Sequence, residues 1–396
     1  MFWLLAKSVP SIHGCAKFSV HVYTKRWGGA ARPERADFWE HRPVPNPNRA
    51  EPSPRRSRAT IKDVASRAGV SHATVSRYLN KRSYTSAATA RAIDDAIAEV
   101  GFVPNYSARS LVSQATRAVA FIVRGQPDLF FSDPNLSAMA SGANAALSER
   151  NHQMLLLIVD GEASEKRVIE YVSGGAVDGA VIALARSDEP VALALARAHI
   201  PLVTASGPLV GADAPMVDTD NLGGSESITR MLAGTGREII GEIRGPAASP
   251  VTAPRHEGFR LGMSHGYNSD LVVDAEDWSV EAGRSAASIL LRRAPSLQGI
   301  VAASDTLAAG AISALTAAGR RVPEDVAVVG FDDSPWATAT SPQISTVRQE
   351  PRRTGALLAD VLLRQLNGEN LGNLAEILPN RVVWRDSAGP PRQATR

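Results

Sequence analysis

The chain has 396 residues, enough for two or three domains, and its 44% hydrophobic and 21% charged content is ordinary for a globular protein. Its single cysteine, Cys15, excludes an internal disulfide framework and fits a reducing, cytoplasmic setting, and no run approaches the roughly 18 apolar residues of a membrane span. The net charge of +3 hides an asymmetry: residues 1–57 carry +6, residues 58–117 carry +5 and the remaining 279 carry −8, the footprint of a nucleic-acid reader joined to a part that is not one.

The first residues, 1–6, are apolar, but Lys7 ends the run before it reaches the length of an export signal. Residues 1–57 show neither helical nor strand periodicity, and 30–54 are rich in Pro, Arg, Glu and Asn. Such a segment is expected to be a disordered extension, or a stretch translated ahead of the true start, for which Val44 is one candidate.

Order begins at Thr60. This residue is a good helix N-cap, and Ile61, Val64, Ala65 and Ala68 follow at helical spacing until Gly69. Ser71 can cap a second short helix carrying Val75 and Leu79. Ser86 opens a third with Ala90, Ile93, Ile97 and Val100 on one face, closed by Gly101. Two short helices joined by a glycine-containing turn, with a third over their apolar side, make an all-α helix-turn-helix head across residues 58–103. Pro104 then breaks the chain, and 106–113 has the length of one more short helix within a hinge at 104–116.

From residue 117 to 396 the texture changes. Apolar runs at 118–123, 154–159, 179–183, 201–204, 239–243, 299–303 and 326–329 alternate with amphipathic stretches at 136–150, 163–173, 190–198, 223–233, 282–293 and 306–318. Alternating β and α predicts parallel sheets wrapped by helices, and the strands are too many for one compact sheet, so two Rossmann-like lobes are expected. Ligands of such a body sit in the cleft between lobes.

The strongest motif is ATIKDVASRAGVSHATVSRYLN at residues 59–80. A recognition helix starting near Ser71 would present His72, Ala73 and Arg77 to base edges in the major groove. Arginine can pair bidentately with guanine, and Ala73 suits a thymine methyl. Thr60, Ser71, Thr74, Ser76 and Asn80 are short donors suited to phosphates. On helix pattern alone, a plain three-helix bundle with solvated polar residues reads equally well.

This block resembles the LacI/GalR family of bacterial repressors. The resemblance continues through PNYSARSL at 104–111, similar to that family's hinge helix. It resumes in the body at RHEGFRLGM, at ASDTLAAGAISALTAAGRRVPEDVAVVGFDDSP and at STVRQ, so that it covers roughly residues 59–390. It implies a homodimer on a near-palindromic double-stranded operator, controlled by a small, sugar-like molecule. It places His72, Ala73 and Arg77 on bases, Asn105, Ala108 and Arg109 in the hinge contacts, and Leu111 as a wedge in the minor groove. In the body, which resembles a periplasmic sugar-binding protein, it matches Arg255 to an arginine that clamps ligand hydroxyls or carboxylates. It matches Asp332 to a hydroxyl acceptor, Trp278 to an aromatic against the ligand, and Asp220 and Ser304 to further contacts. Read without the resemblance, Arg255 is equally a surface ion-pair partner, Asp332 a helix cap and Trp278 core. The segment 128–136 departs from the family's Pro-Phe-Phe turn.

Enzymatic motifs are missing: there is no GxxxxGK[ST] loop, no GxGxxG after a strand, no HExxH and no GxSxG, and the eight histidines show no metal-ligand spacing. A binding protein without cofactor is expected. The alternative is a sugar solute-binding protein of a transporter, which the body alone would fit and the basic head would not.

Overall fold

We describe the protein from a computed structural model covering residues 59–79, 85–103, 115–125, 127–183 and 186–390. Residues 1–58, the hinge residues 104–114, and the expected DNA contacts Asn80, Asn105, Ala108, Arg109 and Leu111 lie outside the described residues. The chain divides into two compact units between Val103 and Pro104.

In the head, α1 spans Ile61–Ala68, α2 His72–Leu79 and α3 Ala87–Val100. Thr60 and Asp63 form a reciprocal capping box at the start of α1, and Gly69, at φ +65°, ends it in the left-handed conformation that glycine adopts without strain. Ser86 caps α3 through the Thr89 amide. Val64, Ala65, Val75, Ile93 and Ala96 form the buried core. Around it, Arg67 pairs with Glu99 and the Tyr78 hydroxyl donates to Asp94, tying α1 and α2 to α3.

The body has two lobes. In the first, β1 (Ala118–Arg124), β2 (Gln153–Val159), β3 (Gly179–Ala183), β4 (Leu202–Ala205) and β5 (Met216–Thr219) pair in parallel, joined at the β5 edge by β11 (Ala375–Leu378) from the far end of the chain. The sheet order is β11-β5-β4-β3-β1-β2. Its helices are α4 (Pro127–Ser132), α5 (Pro134–Glu149), α6 (Glu162–Tyr171), α7 (Pro190–Arg197) and α13 (Pro351–Leu366). They bury the Val- and Ile-rich strands on both faces, as parallel sheets require.

The second lobe holds a four-stranded parallel sheet, ordered β7-β6-β8-β9, from β6 (Ile240–Arg244), β7 (Val272–Asp274), β8 (Gly299–Ala302) and β9 (Ala327–Val329). Around it pack α8 (Asn221–Ala233), α9 (Thr252–Met263), α10 (Val280–Arg293), α11 (Asp305–Ala317) and the short α12 (Pro335–Ala339). A two-stranded antiparallel ribbon joins β10 (Thr346–Arg348) to β12 (Arg381–Val383). The chain therefore passes between lobes three times: from β5 to α8, from β10 to α13, and from β11 to β12. Among the described residues no helix is long and apolar enough to cross a membrane.

All seven expected strands and six expected helices of the body are present within a few residues. The short β5, β7, β10, β11 and β12, and the helices α4, α9, α12 and α13, were not foreseen in the apolar pattern. Glycines thin that pattern where helices touch backbone to backbone. A methyl group on Gly142 of α5 would sit 2.0 Å from the Arg352 carbonyl oxygen, and one on Gly355 of α13 would sit 1.9 Å from that of Met139. Alanine favours helix over glycine by about 1 kcal/mol, but separating two packed helices to admit a methyl costs about 1–3 kcal/mol. Gly142→Ala and Gly355→Ala are each expected to lower the urea midpoint of the chain; an unchanged or raised midpoint would show that α5 and α13 do not meet here.

Candidate functional site

Two surfaces carry chemistry, one on each unit. On the head, α2 exposes His72, Ala73 and Arg77, with Ser76 half-buried between them, while Val75 points into the core. The Arg77 Nε donates to the Ala73 carbonyl at 3.3 Å, which lays the guanidinium along the exposed face. Ser71 accepts from the Thr74 amide at 3.1 Å and its hydroxyl meets the Thr74 hydroxyl at 2.8 Å. Ser71 thus caps α2, and Thr74 is half-buried rather than fully exposed. Thr60 is exposed, with its side chain engaged in the capping box.

In the body, a cavity of about 570 Å³ opens between the lobes, within the range of about 300–1,000 Å³ usual for small-molecule sites. The ends of the first-lobe strands and the start of α5 line one side, and α9 and the starts of α10 and α11 the other. Arg255, Trp278, Ser304 and Asp332 all face it. Arg255 is 6% exposed. Its Nε donates to Asn221 Oδ1 at 2.8 Å and its Nη1 to the Ala303 carbonyl at 2.6 Å. The guanidinium lies 3.8 Å over the Phe331 ring and 3.5 Å from Asp332 Oδ1. Burial pushes its pKa down, and the carboxylates of Asp332, Asp218, Asp133 and Asp305 pull it back up.

Asp332 sits at φ +117°, a backbone region that ordinary residues avoid, and Asp333 follows at φ +56°. Strain of this kind persists only where the surroundings hold it. Here Gln349 Nε2 donates to Asp332 Oδ1 at 2.5 Å, while Asp333 is held by Arg348 and, at 2.6 Å, by Arg385 Nη2. Burial pushes the Asp332 carboxyl up to about 7, with Arg255 opposing. Ser304 caps α11 through the Leu307 amide at 3.2 Å while lining the cavity. Its neighbour Asp305 is wholly buried and accepts from the Thr346 hydroxyl at 2.5 Å and the Ser334 amide at 2.7 Å, so it ties α11 to α12 and β10.

Asp220 requires a correction. It is exposed, caps α8 through the Gly223 amide at 2.8 Å, and is not part of the cavity wall. The lining carboxylate is Asp218, two residues earlier at the end of β5, where burial pushes its pKa up to about 6. Asp220 precedes Asn221, the first helical residue, and that cap position removes it from the wall. His256 also turns away from the cavity, toward Glu242 at 2.5 Å. Of the aromatic pair in the departing segment, Phe130 is buried in the first-lobe core and Phe131 is 73% exposed. In their place Ser132, Asp133 and Asn135 line the cleft. Asp133, Asn135, Asn221 and Trp336 carried no motif of their own; Ser334, next to last in the GFDDSP run, and Gln349 at the end of STVRQ were the signals within reach.

The comparisons with known proteins agree with this layout. Residues 60–105 match the model of bacterial regulatory proteins, lacI family, and residues 229–388 match that of a periplasmic binding protein-like domain. The chain is 36% identical over 340 residues to the HTH-type transcriptional regulator CelR of Thermobifida fusca, covering 84% of this chain and 99% of that protein. It is 31% identical over 329 residues to the ribose operon repressor of Halalkalibacterium halodurans, covering 83% and 96%. Among solved structures it is similar to a transcriptional regulator CelR–cellobiose complex, at 34% identity and a TM-score of 0.66, covering 83% of this chain and all of that one. These likenesses extend over head and body together, which sets aside the solute-binding alternative. The chain belongs to the lacI family of bacterial regulatory proteins and is a DNA-binding transcriptional regulator.

Proposed function

We propose that this protein is a cytoplasmic repressor that binds a near-palindromic operator as a homodimer and is switched by a sugar seated between its lobes. One head covers half a site, so paired heads on a two-fold axis match a palindrome. The observation that carries the reading is the cleft itself, which the paired Arg255 and Asp332, the hydroxyl of Ser304 and Trp278 line together. A guanidinium fork and a carboxylate suit vicinal hydroxyls, and an aromatic face suits the apolar face of a sugar ring. The protein acts by binding and holds no catalytic role. On the head, His72, Ala73 and Arg77 contact bases and Thr60, Ser71, Thr74 and Ser76 position the backbone; Asn80, Asn105, Ala108, Arg109 and Leu111 extend that contact by resemblance.

Cellobiose, the ligand in the similar CelR complex, is the first sugar to try. Melting of the full chain against cellobiose, pentoses, sugar acids and nucleosides should show stabilisation by a sugar. At a hundred times Kd this amounts to about 2.7 kcal/mol. A panel in which only nucleosides raise the melting temperature would overturn the sugar assignment.

For the head, Arg77→Ala should relax base preference at one position by about 1–3 kcal/mol and leave the salt-dependent, nonspecific binding largely in place. Unchanged specificity in a binding selection would remove Arg77 from base readout.

Asp332 supplies a pH test. Burial lifts its carboxyl to about 7 in the free protein, and the ionised form accepts on both oxygens whereas the neutral form turns one of them into a donor. Sugar affinity should therefore rise between about pH 5.5 and about pH 8. Asp332→Asn should bind more weakly and lose the part of the slope centred near 7, leaving the lower part where Asp218 titrates at about 6; a wild-type affinity flat across that window would contradict the assigned role.

A further inference from the structure

The cleft is unbalanced in charge. Among the described residues its lining carries four aspartates, Asp133, Asp218, Asp277 and Asp332, against one basic side chain, Arg255. That arginine is already engaged by Asn221, by the Ala303 carbonyl and by Asp332. Its charge is offset before any ligand arrives.

Helix N-termini are the other usual source of positive potential, because their free amides hold phosphates and carboxylates. Three helices of eight residues or more present capped starts to this lining, and in each a side chain of the protein takes one or two of the free amides. Asp133 Oδ1 takes those of Asn135 and Leu136 at the start of α5, at 2.8 and 3.2 Å. Ser279 takes that of Ala282 at the start of α10, at 3.1 Å, and Ser304 that of Leu307 at the start of α11. Two further starts on the lining have no side-chain cap: α13 enters with Pro351, which has no N–H to offer, and in α9, behind Val251, the Thr252 amide donates to the Ser249 carbonyl and Pro254 has no N–H. What the wall still offers is uncharged: the Ser334 hydroxyl is buried on the lining without a partner.

We propose that the cleft takes an uncharged, hydroxyl-rich ligand and rejects the phosphorylated or carboxylated forms of the same sugar, with Asp218 setting this preference on the first-lobe side. The inference rests on the sugar reading above and narrows it. Asp218 Oδ1 accepts from the Thr219 amide at 2.8 Å and from Asn221 Nδ2 at 3.1 Å, which fixes the carboxylate at the end of β5 with its second oxygen unassigned. An anionic group brought beside it finds no free cation to compensate, and like-charge contact is how a site discriminates against a close analogue.

The test is calorimetric titration of the full chain with matched pairs: cellobiose and cellobionate, glucose and glucose 6-phosphate, ribose and ribose 5-phosphate. The neutral member of the binding pair should bind on the order of a hundredfold more tightly than its anionic partner. Asp218→Asn keeps both acceptor contacts through its amide oxygen and should narrow that gap about tenfold. The wild-type comparison stands whether or not the variant folds. An anionic member binding as tightly as its neutral partner overturns the proposal, and a gap unchanged in a folded Asp218→Asn protein overturns the part assigned to Asp218. Binding of neither member of any pair, with a nucleoside bound instead, overturns the sugar reading itself and this proposal with it.

Discussion

A buried guanidinium organises the body. Arg255 lies almost out of reach of water, and an isolated charge in such a place is untenable without partners. Its partners define a continuous path. Asp218, at the end of β5, accepts from Asn221; Asn221, the first residue after the first crossing between lobes, accepts from Arg255; Asp332 faces Arg255 and accepts from Gln349, which precedes the second crossing at Pro351. One chain of polar contacts thus runs from the first lobe through the second and back to the return crossing. A sugar that engages Arg255 or Asp332 acts on the same groups that hold the two crossings. The cleft is a place where binding can bias the relation of the lobes, by as much as the ligand's differential affinity for the two arrangements allows.

The surroundings of Asp332 show what that arrangement costs. Its backbone is held at φ +117°, its carboxyl is pushed up by burial, and wholly buried Asp305 is pushed up beside it by burial and by the charge of Asp332. Breaking a buried network by removing one partner leaves the others unsatisfied, which costs more than the pair contributes when intact. Asp333, next in sequence, relieves the neighbourhood by taking two arginines, Arg348 and Arg385. The Asp332-Asp333 step divides the work: one carboxylate faces the cleft and the other clamps the loop to β10 and to the residue after β12.

Much of this was legible in the sequence, and the reasons are specific. The head was readable because caps and apolar spacing agree: Thr60, Gly69, Ser86 and Gly101 bound α1 and α3 where their backbones need them. The buried parallel strands were readable as apolar runs. The strand β11 was not, because residues 375–378 make only a four-residue, largely exposed run broken by Glu376 at a sheet edge and pair with β5, some 160 positions away in sequence, a contact no local pattern encodes. Likewise α9 was hidden because Gly258 and Gly262 stand where large apolar residues would mark a buried face. In the cleft, Arg255 and Asp332 were legible through a motif. Asp218 was not, because in Met216-Val217-Asp218-Thr219-Asp220 two aspartates compete for one role. Deciding between them requires knowing that the helix begins at Asn221, so that Asp220 caps it and Asp218 closes the strand.

That distinction extends to the whole wall of the cleft. Asp133, Ser279 and Ser304 each satisfy helix-start amides, and a residue in that role reads in sequence as structural. In three dimensions the same caps line the ligand cavity, so they take up amides at which an anion would otherwise be held. Capping and lining are here one act: the side chains that begin these helices also form part of the cleft wall. A lacI-family body that received a phosphorylated sugar would need helix-start amides free for it or a second basic residue beside Arg255; on the described wall the starts of α5, α10 and α11 are capped and Arg255 is the one basic side chain.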